Sequence, residues 1–267
     1  MKKILLSKDT PIHCLVPSEA IMLDDHIEGY FNHGINLNEG DVVVDVGANI
    51  GVLGIRLSKK FKNIKIHCFE PIPNIFNVLK KNSELSQNPF FKVYENGLGE
   101  KTERKEFTYF PNSPALSTAK PEVWKEEPET LIKAVKGSIK HAPKKFWWAK
   151  FIPSFLAPIF TKYLTSNRKQ FFCNIITLSE FIKREEIEKI DFLKIDCEGL
   201  EWKVLKGIEK NDWKKIKYCV IEVHDINQRL EKVSQLLKSN DFHVILEKEE
   251  SLQDTKLTNV FAIKIIN

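Results

Sequence analysis

Residues 41–71, DVVVDVGANIGVLGIRLSKKFKNIKIHCFEP, constrain this chain more than any other stretch, because they spell a strand, a glycine turn, a helix and a second strand in one β-α-β unit. Residues 41–46 are too uniformly apolar to alternate, as expected of a strand buried on both faces of a parallel sheet. The turn Gly47-Ala48-Asn49-Ile50-Gly51 leads into helical apolar spacing over 52–60, which closes on two lysines suited to the negative end of a helix dipole. Residues 65–70 read as the second strand, with Glu70 at its carboxyl end and Pro71 stopping it.

Glycines in such a turn permit a tight bend and close approach of a ligand to the backbone, and the following helix start offers unpaired N–H groups. Glu70 lies 25 residues after Asp45. In nucleotide-binding α/β folds an acid at the end of the second strand accepts hydrogen bonds from a ribose diol. The dinucleotide fingerprint G-x-G-x-x-G is absent, since Asn49 stands where the second glycine belongs. The turn therefore suits a smaller adenosyl ligand that has no pyrophosphate.

The rest of the chain follows the same alternation. Residues 1–40 form a cap segment, with strands at 3–6 and 12–16 and a helix over 18–33 ended by Gly34. Beyond the central unit come a helix at 73–86, a strand at 91–94 and the turn Asn96-Gly97-Leu98-Gly99, then a strand at 106–109. Regular patterning resumes with a helix at 177–184 capped by Thr177, strands at 190–195 and 218–223, and helices at 200–208 and 227–239. Two last strands at 242–246 and 260–265 are joined by a segment too short for a crossover helix, so they are expected to be antiparallel neighbours. The expected fold is an α/β, Rossmann-like domain over residues 41–267, a mostly parallel sheet with helices on both faces, interrupted by an insertion at about 111–172.

A second group of charges lies at strand ends, where open α/β sheets bind ligands. Lys194, Asp196 and Glu198 are spaced by two at the end of a buried strand and so share one side. Glu222 and His224 repeat that spacing on the next strand, which places His224 beside Asp196 across adjacent tips. Such charges are costly to bury unless paired or used. Lys194 alternatively forms a structural ion pair, and Glu201 alternatively serves only the start of its helix.

At DVGANIG, CFEP and KIDCEGLEWKVLKG, taken in order, the chain resembles the FkbM family of class I S-adenosylmethionine (SAM) dependent methyltransferases, over residues 40–99 and 177–265. The resemblance implies a seven-stranded sheet whose last strand runs against the others, S-adenosyl-L-methionine as cofactor, and O-methylation of a sugar, lipid-linked or polyketide-like hydroxyl acceptor. It assigns cofactor binding to Asp45, Gly47, Ala48, Asn49, Gly51, Glu70, Pro71, Asn96 and Asp196. Asn96 would meet the adenine, unless its turn is a plain asparagine-glycine bend. Catalysis falls to His224 as general base, with Asp196 and Glu198 orienting it or the substrate. No metal is expected, because a divalent ion on Asp196 and Glu198 would have Glu222 as its sole nearby third ligand. The N-P-P-Y and D-P-P-Y tetrapeptides of amine methylation are absent, and Asp196-Cys197-Glu198-Gly199 stands in their place, which favours an oxygen acceptor. A catalytically silent SAM-fold protein that binds membranes or partners through the insertion is the alternative, and a nucleotide-dependent oxidoreductase is disfavoured by the missing glycine.

The insertion is the one region with its own composition. Seven prolines from Pro111 to Pro158 (Pro111, Pro114, Pro121, Pro128, Pro143, Pro153 and Pro158) argue against long regular helices throughout it. Residues 131–170 carry eight lysines, Arg168 and no acid, a charge of +9, so the rest of the chain sums to −4 against a net +5. The basic balance is thus local, which argues against nucleic acid as a partner. Residues 146–164, FWWAKFIPSFLAPIFTKYL, pair an aromatic-rich apolar face with flanking cations. That composition fits peripheral contact with an anionic membrane or a lid over an apolar substrate, and equally a helical hairpin packed on the main domain. Five cysteines without a C-x-x-C pair, no signal peptide and no bilayer-length apolar run point to a cytoplasmic protein.

Overall fold

A computed structural model describes residues 1–120, 128–142, 144–249 and 252–265. Pro121 and Pro143 lie outside the described residues. The chain opens with an antiparallel hairpin, β1 (Lys2–Leu6) and β2 (Thr10–Cys14), followed by α1 (Pro17–His26). The helix expected to run to residue 33 stops at His26 and tightens into a 3-10 segment at Ile27–Phe31. Gly29 sits in the middle of that segment, where its backbone freedom works against a continuing α-helix.

The doubly wound core then unfolds in sequence. It contains β3 (Val42–Val46), α2 (Val52–Lys60), β4 (Lys65–Phe69), α3 (Pro73–Leu85) and β5 (Phe91–Tyr94). A small second sheet takes β6 (Gly97–Leu98) and β7 (Glu103–Tyr109), and the insertion contributes α4 (Pro128–Lys140) and α5 (Ala157–Leu164) before β8 (Lys169–Ile176). Next come α6 (Leu178–Arg184), β9 (Ile190–Ile195), α7 (Glu201–Lys206), β10 (Ile216–His224), α8 (Arg229–Ser239), β11 (Phe242–Glu247) and β12 (Leu257–Lys264).

The main sheet has seven strands in the order β11-β12-β10-β9-β3-β4-β5. β12 runs antiparallel to both neighbours, while the pairs β10–β9, β9–β3, β3–β4 and β4–β5 are parallel. Successive residues of each strand feed opposite faces. Val43, Ile66, Phe192 and Val220 pack into a core shared with α2, α3 and the amino-terminal cap. Val44, Leu193, Ile221 and Val260 pack into the other, against α6, α7 and α8. Burial on both faces is why these strands read as unbroken apolar runs. All five cysteines are free thiols, four of them buried and Cys197 half-buried.

The insertion leaves and returns through one hairpin base. β7 and β8 pair antiparallel from Glu103 opposite Ile175 to Tyr109 opposite Lys169, and β8 also pairs with β6. β8 was not among the strands expected from sequence, although its period-two pattern is real: Cys173 and Ile175 are buried while Phe172 and Asn174 are exposed. It directly continues an aromatic-rich run, which hides that pattern. The prolines bracket helices here, Pro128 opening the thirteen-residue α4 and Pro158 sitting in the first turn of α5. Among the described residues no helix is long and apolar enough to cross a membrane.

Candidate active site

A cavity of about 520 Å³ opens at the carboxyl ends of β3, β4, β9 and β10. Two unlike walls face each other across it. One is built from strand tips and carries Asp45, Glu70, Asp196, Glu198 and Glu222. The other comes from the insertion and is apolar, with Val135, Ile139, Phe146, Ile152, Phe160 and Leu164. Residues of α1 close the side between them, including Glu19 and Met22.

The strand-tip wall is held by backbone as much as by side chains. Gly47 has φ +74°, and a Cβ built there would fall 1.9 Å from the carbonyl oxygen of Asp196. Only glycine lets the end of β3 lie this close to the end of β9, where the Asp196 N–H also donates to the Val46 carbonyl at 3.1 Å. The N–H groups of Gly47 and Ala48 donate to the Phe69 carbonyl at 3.1 and 3.0 Å, tying the turn to β4. Asn49 (φ +49°) and Gly51 (φ +81°) both adopt left-handed backbone, and Gly51 is the residue from which α2 starts.

Lys194 fastens the same wall from beneath. Its ammonium lies 3.2 Å from Asp45 Oδ1 and 3.5 Å from Asp196 Oδ2, and donates to the Gly47 carbonyl at 3.0 Å. Burial works against that charge, but Asp45 and Asp196 outweigh it and hold Lys194 well above the ordinary lysine range. The structural ion pair weighed for Lys194 is therefore present, and it places two of the expected cofactor-binding carboxylates.

Glu70 ends β4 and faces the cavity, 6% exposed. Its Oε1 accepts from the Ile72 N–H at 2.9 Å. Burial pushes its carboxyl up to about 8, with backbone N–H groups of Ile72 and Asn49 pulling the other way. Two hydroxyl donors arriving together would favour its charged form.

Past β9, Glu198 has a left-handed backbone (φ +52°) that turns its side chain into the cavity, and its carbonyl accepts from the Thr118 hydroxyl at 2.6 Å. Its Oε2 is 3.4 Å from His224 Nε2, and the other ring nitrogen is 3.5 Å from Glu201 Oε1. Burial alone would lower the His224 pKa, yet Glu201 and Glu198 outweigh it and raise it well above the ordinary value. Burial pushes the Glu198 carboxyl above its usual range, although His224 opposes the rise. Glu201 is fully buried, accepts from the Gly199 N–H at 2.6 Å and meets Arg229 Nη1 at 3.4 Å.

Most of the residues expected from sequence meet at this cavity. Asp45, Gly47, Ala48, Asn49, Glu70, Pro71, Asp196 and Glu198 all line it. Three do not. Gly51 acts one step back, through the start of α2. Asn96 is half-buried in the turn leading into β6 and does not line the cavity. His224 is 3% exposed and does not line the cavity; the expectation that it stands beside Asp196 is corrected, because its ring lies between Glu198 and Glu201.

Three acidic or basic residues were missed as site residues. Glu201 looked like a helix-start acid, but it anchors His224 and Arg229. Arg229 gave no sequence signal, since its partners are supplied by α7 and the loop before it. Glu19, in the first turn of α1, accepts from the Ala115 N–H at 2.9 Å and the Ser113 hydroxyl at 3.0 Å. Burial pushes Glu19 up to about 7. Among the described residues no group of three histidine, cysteine or acidic side chains is arranged to hold a metal ion.

Comparison with known proteins gives the family. The family model of the methyltransferase FkbM domain matches residues 45–246, from the β3 carboxylate to β11. The chain is 28% identical over 233 residues to the 31-O-demethyl-FK506 methyltransferase FkbM of Streptomyces tacrolimicus, covering 87% of this chain and 84% of that one. It is also 28% identical over 224 residues to methyltransferase sdnD of Sordaria araneosa, covering 82% and 80%. A crystal structure of methyltransferase FkbM from Methylobacillus flagellatus KT aligns with a TM-score of 0.50 and 14% identity, a likeness of fold. That alignment covers 91% of this chain and about half, 52%, of the other. The seven-stranded sheet is that of the class I methyltransferases, and the chain belongs to the FkbM methyltransferase family.

Proposed function

We propose that this protein transfers the methyl group of S-adenosylmethionine to a hydroxyl of a small-molecule acceptor. The observation that carries the reading is one cavity lined together by the glycine turn, Glu70, Glu198 and the apolar face of the insertion. The chemistry of the donor set fits the cofactor. A buried carboxylate at the end of β4 suits a ribose diol, the turn at Gly47, Ala48 and Asn49 suits the aminoacid part, and an acidic wall suits a sulfonium cation. Bound there, the cofactor supplies an electrophilic methyl group.

What this chain's own residues then do is orient the acceptor and take its proton. Glu198 reaches the cavity, and its raised pKa brings a carboxylate base closer to neutral operating pH. We assign the base to Glu198. His224 is held charged between two carboxylates and buried out of the cavity, so it serves as a positioning residue that aims Glu198. The Asp196-Cys197-Glu198-Gly199 turn favours oxygen as the acceptor atom, and the Streptomyces tacrolimicus relative is named for methylation at an O position. The apolar roof favours an acceptor with a substantial hydrocarbon part.

The test is methyl incorporation from labelled SAM into a panel of hydroxyl and amine acceptors with apolar bodies, read by mass spectrometry. Glu198→Gln is expected to cut kcat by about 10²- to 10⁴-fold with SAM affinity little changed. His224→Gln is expected to shift the pH profile of kcat by altering Glu198, and to leave residual turnover. Incorporation into amines alone would overturn the oxygen assignment, and full turnover in Glu198→Gln would remove that residue as base.

A further inference from the structure

The insertion is two-faced, and its outer face has no role in the cavity. Phe146, Ile152, Phe160 and Leu164 line the cavity, whereas Trp147, Phe151, Phe155, Ile159 and Tyr163 do not. Those five are 63%, 76%, 74%, 65% and 61% exposed. Trp147 and Phe151 lie in a 3-10 segment, Lys144–Phe151, Phe155 in the turn before α5, and Ile159 and Tyr163 one helical turn apart on α5. The rings of Trp147 and Phe151 touch edge to face at 5.9 Å, so that pair is one surface. Scattered single apolar residues on a surface need no explanation, but five large ones within seventeen residues do.

Charge identifies what fits this face. Exposed Lys145, Lys150, Lys162, Arg168 and Lys169 lie beside or between the aromatic positions. No ion pair joins any of these five to a carboxylate among the described residues. The segment 131–170 contains no acid at all, while the rest of the chain is net negative. Aromatic side chains between cations, none internally neutralised, match the boundary of an anionic bilayer, where rings enter the headgroup region and ammonium groups meet lipid phosphates. A symmetric dimer through this face sets like charge against like, and an acidic protein surface offers nothing to the aromatic side chains, so neither matches both features.

We infer that the outer face of the insertion docks this protein onto an anionic lipid surface, with the roof of the cavity lying next to the membrane. The assignment is independent of the methyl-transfer reading, because it rests on a face the cavity does not use.

The experiment is co-sedimentation of the full chain with vesicles of phosphatidylcholine alone and with added phosphatidylglycerol, at low and high salt. Sedimentation with the anionic vesicles that weakens as salt rises is expected, with little sedimentation on the neutral ones. A Trp147→Ser, Phe151→Ser, Phe155→Ser variant and a Lys145→Gln, Lys150→Gln, Lys162→Gln variant should each lose binding, the second by about fivefold per cation removed. Both alter exposed side chains, so circular dichroism and thermal melting should match the parent. Equal sedimentation with both vesicle types, or none with either, would overturn the inference. So would a dimer in sedimentation velocity that the aromatic variant converts to monomer without any vesicle binding, which would show that a second copy covers the face.

Discussion

The two walls of the cavity are made on opposite physical terms. The strand-tip wall gathers five carboxylates and Lys194 at a largely buried strand edge, and it is held by the pairing of Lys194 with Asp45 and Asp196 and of Glu198 with His224, and by a backbone contact that tolerates only glycine at position 47. The insertion wall is unlike it: its cavity face is hydrocarbon and its outer face is aromatic and cationic in water. The contrast teaches where the fold can vary. Around Lys194 one charge cannot change without stranding another, whereas an apolar roof on a hairpin base can be reshaped residue by residue. On the proposed function, cofactor chemistry belongs to the first wall and acceptor choice to the second.

Breaking the strand-tip wall should give the largest effect. Lys194→Met strands Asp45, which is 1% exposed, and is expected to cost about 3 to 5 kcal/mol in urea unfolding. The double variant Asp45→Asn, Lys194→Met should recover most of that loss. Equal destabilisation in both would mean that packing, and not the ion pair, holds the wall. Next in size, Gly47→Ala forces a side chain against the Asp196 carbonyl at positive φ, and about 3 kcal/mol or more of destabilisation is expected. Tolerance of alanine there would show that β3 and β9 can part.

Glu70 sharpens the comparison through pH. Its folded pKa is raised to about 8 from an ordinary 4.5, so the folded protein keeps a proton that the unfolded chain has lost between those values. Stability should therefore fall by up to one proton's slope as pH rises from about 4.5 through about 8. Glu70→Gln should remove that slope and melt higher than the parent above pH 8, at the expense of ligand binding. A parallel pH dependence in the two proteins would place the titration elsewhere. The smallest effect belongs to the other wall's outer face: Phe151→Ser and Phe155→Ser should change stability by no more than about 0.5 kcal/mol, since both side chains stand in water.

The same contrast explains what could be read from sequence. The strand-tip wall was legible because a parallel strand, a glycine turn and an acid at the next strand's end are local patterns: Glu70, Asp196 and Glu198 follow from position and spacing, and the family resemblance implies Asp45. The antiparallel pairing of β11 with β12 was legible from the short link between them, whereas the order of strands across the sheet comes from the structure. Partnerships made in three dimensions were not legible. Glu201, His224 and Arg229 come from α7, β10 and α8, and nothing in their spacing says that they converge. His224 was consequently read as a base at a strand tip, when burial between two carboxylates keeps it charged. β8 escaped notice because an aromatic-rich segment runs straight into its alternation. In the insertion, composition named the cations and rings but not which of them turn inward, a division that only packing against the cavity decides.

The most direct measurement is isothermal titration of the protein with S-adenosylhomocysteine, beside NAD as control, for the parent and Glu70→Gln. One site per chain is expected, with NAD giving no heat. Loss of the charged acceptor in Glu70→Gln should weaken binding by about 1.5 to 3 kcal/mol, roughly tenfold to a hundredfold. Binding as tight in Glu70→Gln as in the parent, or displacement of S-adenosylhomocysteine by NAD, would contradict the assignment of the strand-tip wall to the cofactor.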